Sequence, residues 1–195
     1  MKSICVYCGS NPGLLKEYQD AAIELGRALA RENITMIYRG GNVGLMGITA
    51  DAALEAGGTV IGVIPEALVK REVAHRGLTD LRVVRSMHER KMLMAELSDG
   101  FVALPGGIGT LEEILEAFTW SQLGIHMKPC SLLNTANFFE GLRLQLGRMA
   151  QEGFLREQQL AQLVVKSDVS DLIQELRSLK PTMIDKWIGR EKARV

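Results

Sequence analysis

Short runs of apolar and β-branched residues alternate along this chain with longer segments whose apolar residues recur at three- and four-residue steps. No feature narrows the fold more, because alternating strands and helices bury both kinds of element when parallel strands share one sheet with helices on its faces. Ser3 to Tyr7 is the first such run, and it meets the turn residues Gly9-Ser10-Asn11-Pro12-Gly13. From about Leu14 to Glu32, the residues Tyr18, Ala21, Ala22, Leu25, Ala28 and Leu29 line one helical face. Further strands are expected at Ile34 to Tyr38, Thr59 to Ile64, Leu81 to Arg85, Phe101 to Leu104 and Cys130 to Leu133. Helices are expected between them: an alanine-rich one closed by Gly57-Gly58, then Met87 to Leu97, Thr110 to Leu123, Phe138 to Glu152 and, near the end, Val169 to Leu176. Six or seven strands in this order predict an α/β fold, a doubly wound open parallel sheet in three layers (α/β/α) whose ligands bind beyond the carboxyl ends of the strands. The polar stretch from Glu66 to Thr79 reads as a long functional loop.

At 195 residues with 47% hydrophobic content, the chain can build one core, and a single domain over 1–180 followed by a charged tail over 181–195 is expected. Lys and Arg number 23 and Asp and Glu 23, which argues against a nucleic-acid surface. No run is apolar enough to span a bilayer, and Ile4 to Val6 is too short for a signal peptide, so the expected setting is the cytoplasm, off the membrane. Cys5, Cys8 and Cys130 are too few and odd for a disulfide framework. The Cys5–Cys8 pair lies on a strand and its exit, where residues three apart face opposite ways, which favours buried packing over a redox or metal role.

Glycine sharpens the functional reading. Of 20 glycines, eight fall at expected strand ends: Gly9, four between Gly40 and Gly47, and three between Gly106 and Gly109. A strand ending in Gly-Gly-x-Gly and opening into a helix presents backbone N–H groups at the positive end of a helix dipole, which suits a phosphate. Thr110 is expected to cap that helix. Two such loops favour an anionic ligand over mere tight turning, and the expected domain is nucleotide-binding and Rossmann-like. It lacks the G-x-G-x-x-G fingerprint after the first strand, its later acidic residue, and the P-loop pattern.

After the glycines, Glu112 and Glu113 enter the first helical turn. With Leu111, Ile114, Leu115 and Phe118 as the apolar face, Glu113 falls roughly 200° from Leu111 and points away from the core. It reads either as a complement to the helix dipole or, with Trp120 on the same side, as a carboxylate enclosed by a second protein surface. Arg85-Ser86-Met87-His88-Glu89-Arg90-Lys91 places cations at a helix start, where they oppose the dipole unless an anion lies near. His75, His88 and His126 show no metal-ligand spacing, and no metal site is expected.

Three segments together resemble the LOG (Lonely Guy) family of cytokinin riboside 5′-monophosphate phosphoribohydrolases, formerly mislabelled lysine decarboxylases. They are Pro105-Gly106-Gly107-x-Gly109-Thr110-x-x-Glu113, Met87-His88-x-Arg90-Lys91, and Gly40-Gly41-x-x-Gly44-Leu45-Met46-Gly47, within a resemblance covering roughly Lys2 to Gly153. The resemblance implies hydrolysis of the N-glycosidic bond of N6-substituted adenosine 5′-monophosphates to base and ribose 5-phosphate, without a cofactor, in a homodimer with its sites near the subunit interface. It implies Arg90 and Glu113 as the catalytic pair. It implies a nucleotide held by Lys91, by Gly106, Gly107, Ile108, Gly109, Thr110, Leu111 and Glu112, and by Glu72 and Thr119; Gly9, Ser10, Gly40 and Gly41 are further expected contacts at strand ends.

Family members usually read Gly-Gly-Gly where this chain reads Arg39-Gly40-Gly41. Were position 39 to need a positive φ or a close ligand approach, arginine would strain or narrow the loop; otherwise it supplies a further cation for phosphate. Two alternatives stay open: an AMP nucleosidase acting on unmodified AMP, and a nucleotide-binding protein without catalysis. Lysine decarboxylation would need a lysine set to bear pyridoxal phosphate, and Lys91 beside Arg90 lacks that setting.

Overall fold

The computed structural model describes residues 1–69 and 74–179, so the tail over 181–195 lies outside the described residues. Seven strands form one parallel sheet in the order β4-β3-β2-β1-β5-β6-β7. They are β1 (Ser3–Tyr7), β2 (Thr35–Tyr38), β3 (Val60–Pro65), β4 (Asp80–Val84), β5 (Phe101–Ala103), β6 (Cys130–Leu133) and β7 (Leu163–Lys166). The helices are α1 (Lys16–Arg31), α2 (Gly44–Glu55), α3 (Met87–Leu97), α4 (Ile108–Gln122), α5 (Glu140–Gln151), the single turn α6 (Glu157–Leu160) and α7 (Val169–Ser178). β7 and α6 fall where the sequence pattern announces no element.

Burial follows the period-two alternation of the central strands. Ile4, Val6 and Cys8 join Leu25 and Leu29 of α1, Leu45 and Met46 of α2 and Leu172 of α7 in one core. Cys5 and Tyr7 point the other way, onto Met94 of α3, Ile114 and Phe118 of α4 and Leu146 of α5. The two cysteines therefore face opposite cores, as their spacing requires, and each is a free, buried thiol. Each large side chain so enclosed contributes about 1.5–3 kcal/mol relative to exposure.

The strand order reverses between β1 and β5, and this places the site. The chain leaves β1 through Gly9 and β5 through Pro105, and the two exits are joined by the Gly9 N–H donating to the Pro105 carbonyl at 3.1 Å. The α2 entrance closes on them as well. Gly44, at φ 55°, sits so near Ser10 that a Cβ there would lie 2.3 Å from the Ser10 carbonyl carbon. Three loops thus meet at the switch point, where open α/β sheets bind ligands.

Candidate active site

A cleft of about 240 Å³ opens at this junction, lined by Gly9, Ser10, Pro12, Tyr18, Gly106 and Gly107, with Phe138 across it. Gly107 caps α4 through its backbone, and no side chain bonds to that helix start. Thr110 is therefore not the cap. The helix begins two residues earlier, at Ile108, and Thr110 lies inside the first turn, buried against Gly106. The starts of α1 and α2 also lack a capping side chain, unlike α3 and α7, which Ser86 and Asp168 cap. Bare helix starts around a glycine-lined cleft suit an anion.

On the helix that opens from Gly107, Glu113 Oε1 accepts from Nη2 of Arg90 of α3 at 3.2 Å, and the Arg90 and Glu113 side chains are 5% and 3% exposed. A buried ion pair at a sheet's ligand edge costs desolvation that a purely structural core would avoid. The helical wheel of α4 misplaces this carboxylate. Thr110, Glu113, Ile114, Ala117 and Phe118 are the buried residues, whereas Leu111 and Leu115 are only half-buried. Small Thr110 and Ala117 let the helix backbone approach the sheet, so the buried arc centres on them and Glu113 sits at its edge, facing inward. Trp120 is partly buried and packs against the protein's own core. Burial pushes the Glu113 carboxyl above its ordinary value, and the guanidinium groups of Arg39 and Arg90 oppose the rise.

The cations at the start of α3 find their anions on α4. Lys91 bonds to Glu112 and lies 3.2 Å from Glu116. Burial works to lower its pKa, but the two carboxylates outweigh it and hold the ammonium above its ordinary value.

Other expected contacts scatter. Ile108 is 82% exposed, Gly109 is open to solvent, and Leu111 is half-buried beside exposed Glu112. Thr119 is exposed and its hydroxyl donates back to the Leu115 carbonyl, outside the Arg90–Glu113 cluster. Gly40 and Gly41 are buried under the returning loop, bonded to His75 and bridged to Ala74, and do not line the cleft. Glu72 lies outside the described residues. Arg39, expected either to strain its loop or to supply a cation for phosphate, turns instead toward Glu113, with its Nε 3.6 Å from Glu113 Oε2. Its φ is not positive, so the feared strain is absent, and the left-handed conformation falls on Gly40 at φ 74°. The signal for Arg39 in the sequence is the interruption of a glycine run at Arg39-Gly40-Gly41.

An open parallel α/β sheet with a glycine-lined cleft at its switch point, and a buried Arg–Glu pair whose carboxylate lies on the helix that leaves that cleft, defines a Rossmann-like α/β protein. The family model described as "Possible lysine decarboxylase" matches residues 46–176. A cytokinin riboside 5′-monophosphate phosphoribohydrolase of Rhodococcoides fascians is 48% identical over 178 residues, 91% of this chain and 90% of that protein. The enzyme of that name called LOG in Oryza sativa subsp. japonica is 44% identical over 180 residues, covering 92% of this chain and 74% of its own. The chain belongs to the LOG family. Among solved structures, the molybdenum cofactor carrier protein of Chlamydomonas reinhardtii has a TM-score of 0.69 at 22% identity, over 91% of this chain and 96% of that one, and shares the fold.

Proposed function

We propose that this chain hydrolyses the N-glycosidic bond of cytokinin riboside 5′-monophosphates, releasing the N6-substituted adenine and ribose 5-phosphate. The observation that carries the reading is the buried Arg90–Glu113 pair, whose carboxylate lies on α4, the helix that opens from Gly107 of the glycine-lined cleft. Relatives of that name at 48% and 44% identity support it. As the C1′–N9 bond breaks, its electron pair leaves with the base and positive charge builds on the ribose. Glu113 stabilises that charge and orients a water whose hydroxyl joins C1′ while the base takes up a proton. Burial makes Glu113 a stronger base than an exposed carboxylate. Arg90 is too weak an acid to give up a proton, so its role is to hydrogen-bond the departing base or the ribose. The 5′-phosphate sits over the bare start of α4, between Gly106 and Thr110, and Lys91 adds a local cation. Lys91 does not suit Schiff-base chemistry, which needs a neutral amine, because its carboxylate partners keep it protonated.

The working unit is a single domain over 1–180, paired as a homodimer. Exposed Met87 and Met92 on α3, Ile108 on α4, and Leu123, Ile125 and Met127 just beyond it support pairing beside the site. Three buried, unpaired thiols suit the cytoplasm; among the described residues no helix is long and apolar enough to cross a membrane. The test incubates the protein with N6-isopentenyl-AMP, AMP and the two corresponding ribosides, following base and ribose 5-phosphate. Release from N6-isopentenyl-AMP and little from the ribosides is expected; release from neither monophosphate overturns the reading, and equal release from ribosides overturns the phosphate assignment.

A further inference from the structure

Arg39 follows Tyr38 at the carboxyl end of β2, and its side chain, 12% exposed, turns across the end of β1. Nη2 donates to the Cys8 carbonyl, and Nε lies 3.6 Å from Glu113 Oε2. In the first turn of α4, Gly109 adjoins the same guanidinium: a Cβ there would come 3.6 Å from Nη1. β1 and α4 thus fix where this group sits. Glu113 in turn is bracketed, with Arg90 on Oε1 and Arg39 facing Oε2. The other groups that act on the carboxylate are Lys91 of α3, which favours the charge, and Glu112 of α4, which opposes it. Cys5 and Tyr7 of the neighbouring β1, and Cys8 just after it, are buried, and burial pushes their pKa values up, so they stay neutral at working pH.

We propose that Arg39 is a positioning residue for Glu113: it fixes the direction of Oε2 and keeps the carboxylate ionised against its burial, extending activity to lower pH than Arg90 alone would allow. The proposal rests on the hydrolase reading, with Glu113 working as the anion. A neutral side chain at position 39 leaves one guanidinium to oppose the desolvation of a group only 3% exposed, so a proton binds the carboxylate more readily and the acid side of the rate profile is lost first.

The experiment measures kcat/KM for base release from N6-isopentenyl-AMP between about pH 5 and pH 8 in the wild type, Arg39→Met and Arg39→Lys. It is paired with a ¹³C NMR titration of the Glu113 carboxyl, assigned by its loss in Glu113→Gln. Arg39→Met is expected to lower the ratio of kcat/KM at the acid end to that at the alkaline end by about tenfold, and to move the carboxyl titration to higher pH. Arg39→Lys, which keeps the charge, is expected to restore most of that ratio. An unchanged profile shape and an unchanged titration in Arg39→Met overturn the proposal even if the overall rate falls, since a merely structural role moves neither. If Arg39→Met does not fold, Arg39→Gln carries the same comparison. If the wild type releases no base, the hydrolase reading fails, and the NMR titration still decides whether Arg39 governs Glu113.

Discussion

Gly106→Ala tests the packing of the switch point. A Cβ at position 106 would lie 2.2 Å from Thr110 Oγ1 and 2.8 Å from the Gly9 nitrogen. Neither neighbour can yield cheaply: Thr110 is 1% exposed, and the Gly9 N–H is committed to the Pro105 carbonyl at 3.1 Å. Alanine must therefore drive the exit of β1 away from the first turn of α4. Overpacking of this kind costs about 1–3 kcal/mol. At about 2–4 °C per kcal/mol for a domain of this size, the melting temperature should fall by roughly 2–12 °C. Gly107→Ala is the internal control, because a Cβ there meets nothing within 4 Å and its φ of −86° is open to any residue. Its stability should stay within about 0.5 kcal/mol of wild type, while its methyl projects into open space at the rim of the cleft and weakens nucleotide binding. Urea unfolding followed by circular dichroism, with calorimetric titration of AMP, separates the two effects. Unfolding of Gly106→Ala at the wild-type midpoint, or greater destabilisation of Gly107→Ala than of Gly106→Ala, would contradict this packing of the switch point.

Ser86→Ala should cost about 1 kcal/mol, read by urea midpoint, because Ser86 Oγ accepts the Glu89 N–H at 3.1 Å and caps the helix that carries Arg90 and Lys91. The thiols should be silent: Cys5, Cys8 and Cys130 are buried, with the Cys8 thiol pushed up to about 12 by burial, so a thiol reagent should count none in the native protein and three in urea. Glu113 should also leave a mark on stability against pH. Its folded carboxyl titrates above the ordinary value of 4.5, so in that window the folded chain binds more protons than the unfolded one and stability falls as pH rises. Denaturation across that range should show the decline in wild type and not in Glu113→Gln; equal slopes would contradict the assigned burial of the carboxylate.

Much of this architecture is legible in the sequence because a covered parallel strand must be nearly all apolar and its exit must turn sharply. Val60–Pro65 and the glycines after β1, β2 and β5 meet both conditions. β7 escapes because Leu163–Lys166 is four residues long and follows the polar turn α6, with no glycine to mark its end. The Arg90–Glu113 pair is legible through its motif, but the direction of Glu113 is not. A wheel weighted by large leucines points the core at Leu111 and Leu115, whereas close packing on the sheet selects the smaller Thr110 and Ala117. Arg39 is visible as an oddity in a glycine run, yet its partner lies on a distant helix that only the folded sheet brings within 3.6 Å.

The central claim is that the Glu113 carboxylate, held between two guanidinium groups, carries the cleavage of a nucleotide bound over the start of α4. Single-turnover release of base from N6-isopentenyl-AMP by wild type and Glu113→Gln, at enzyme concentrations above the measured dissociation constant, tests it most directly. Removing a group that acts on charge developed in the transition state should slow the step by about 10²–10³-fold while nucleotide binding stays within a few-fold. Release by Glu113→Gln at the wild-type rate would contradict the claim and return the carboxylate to a structural role.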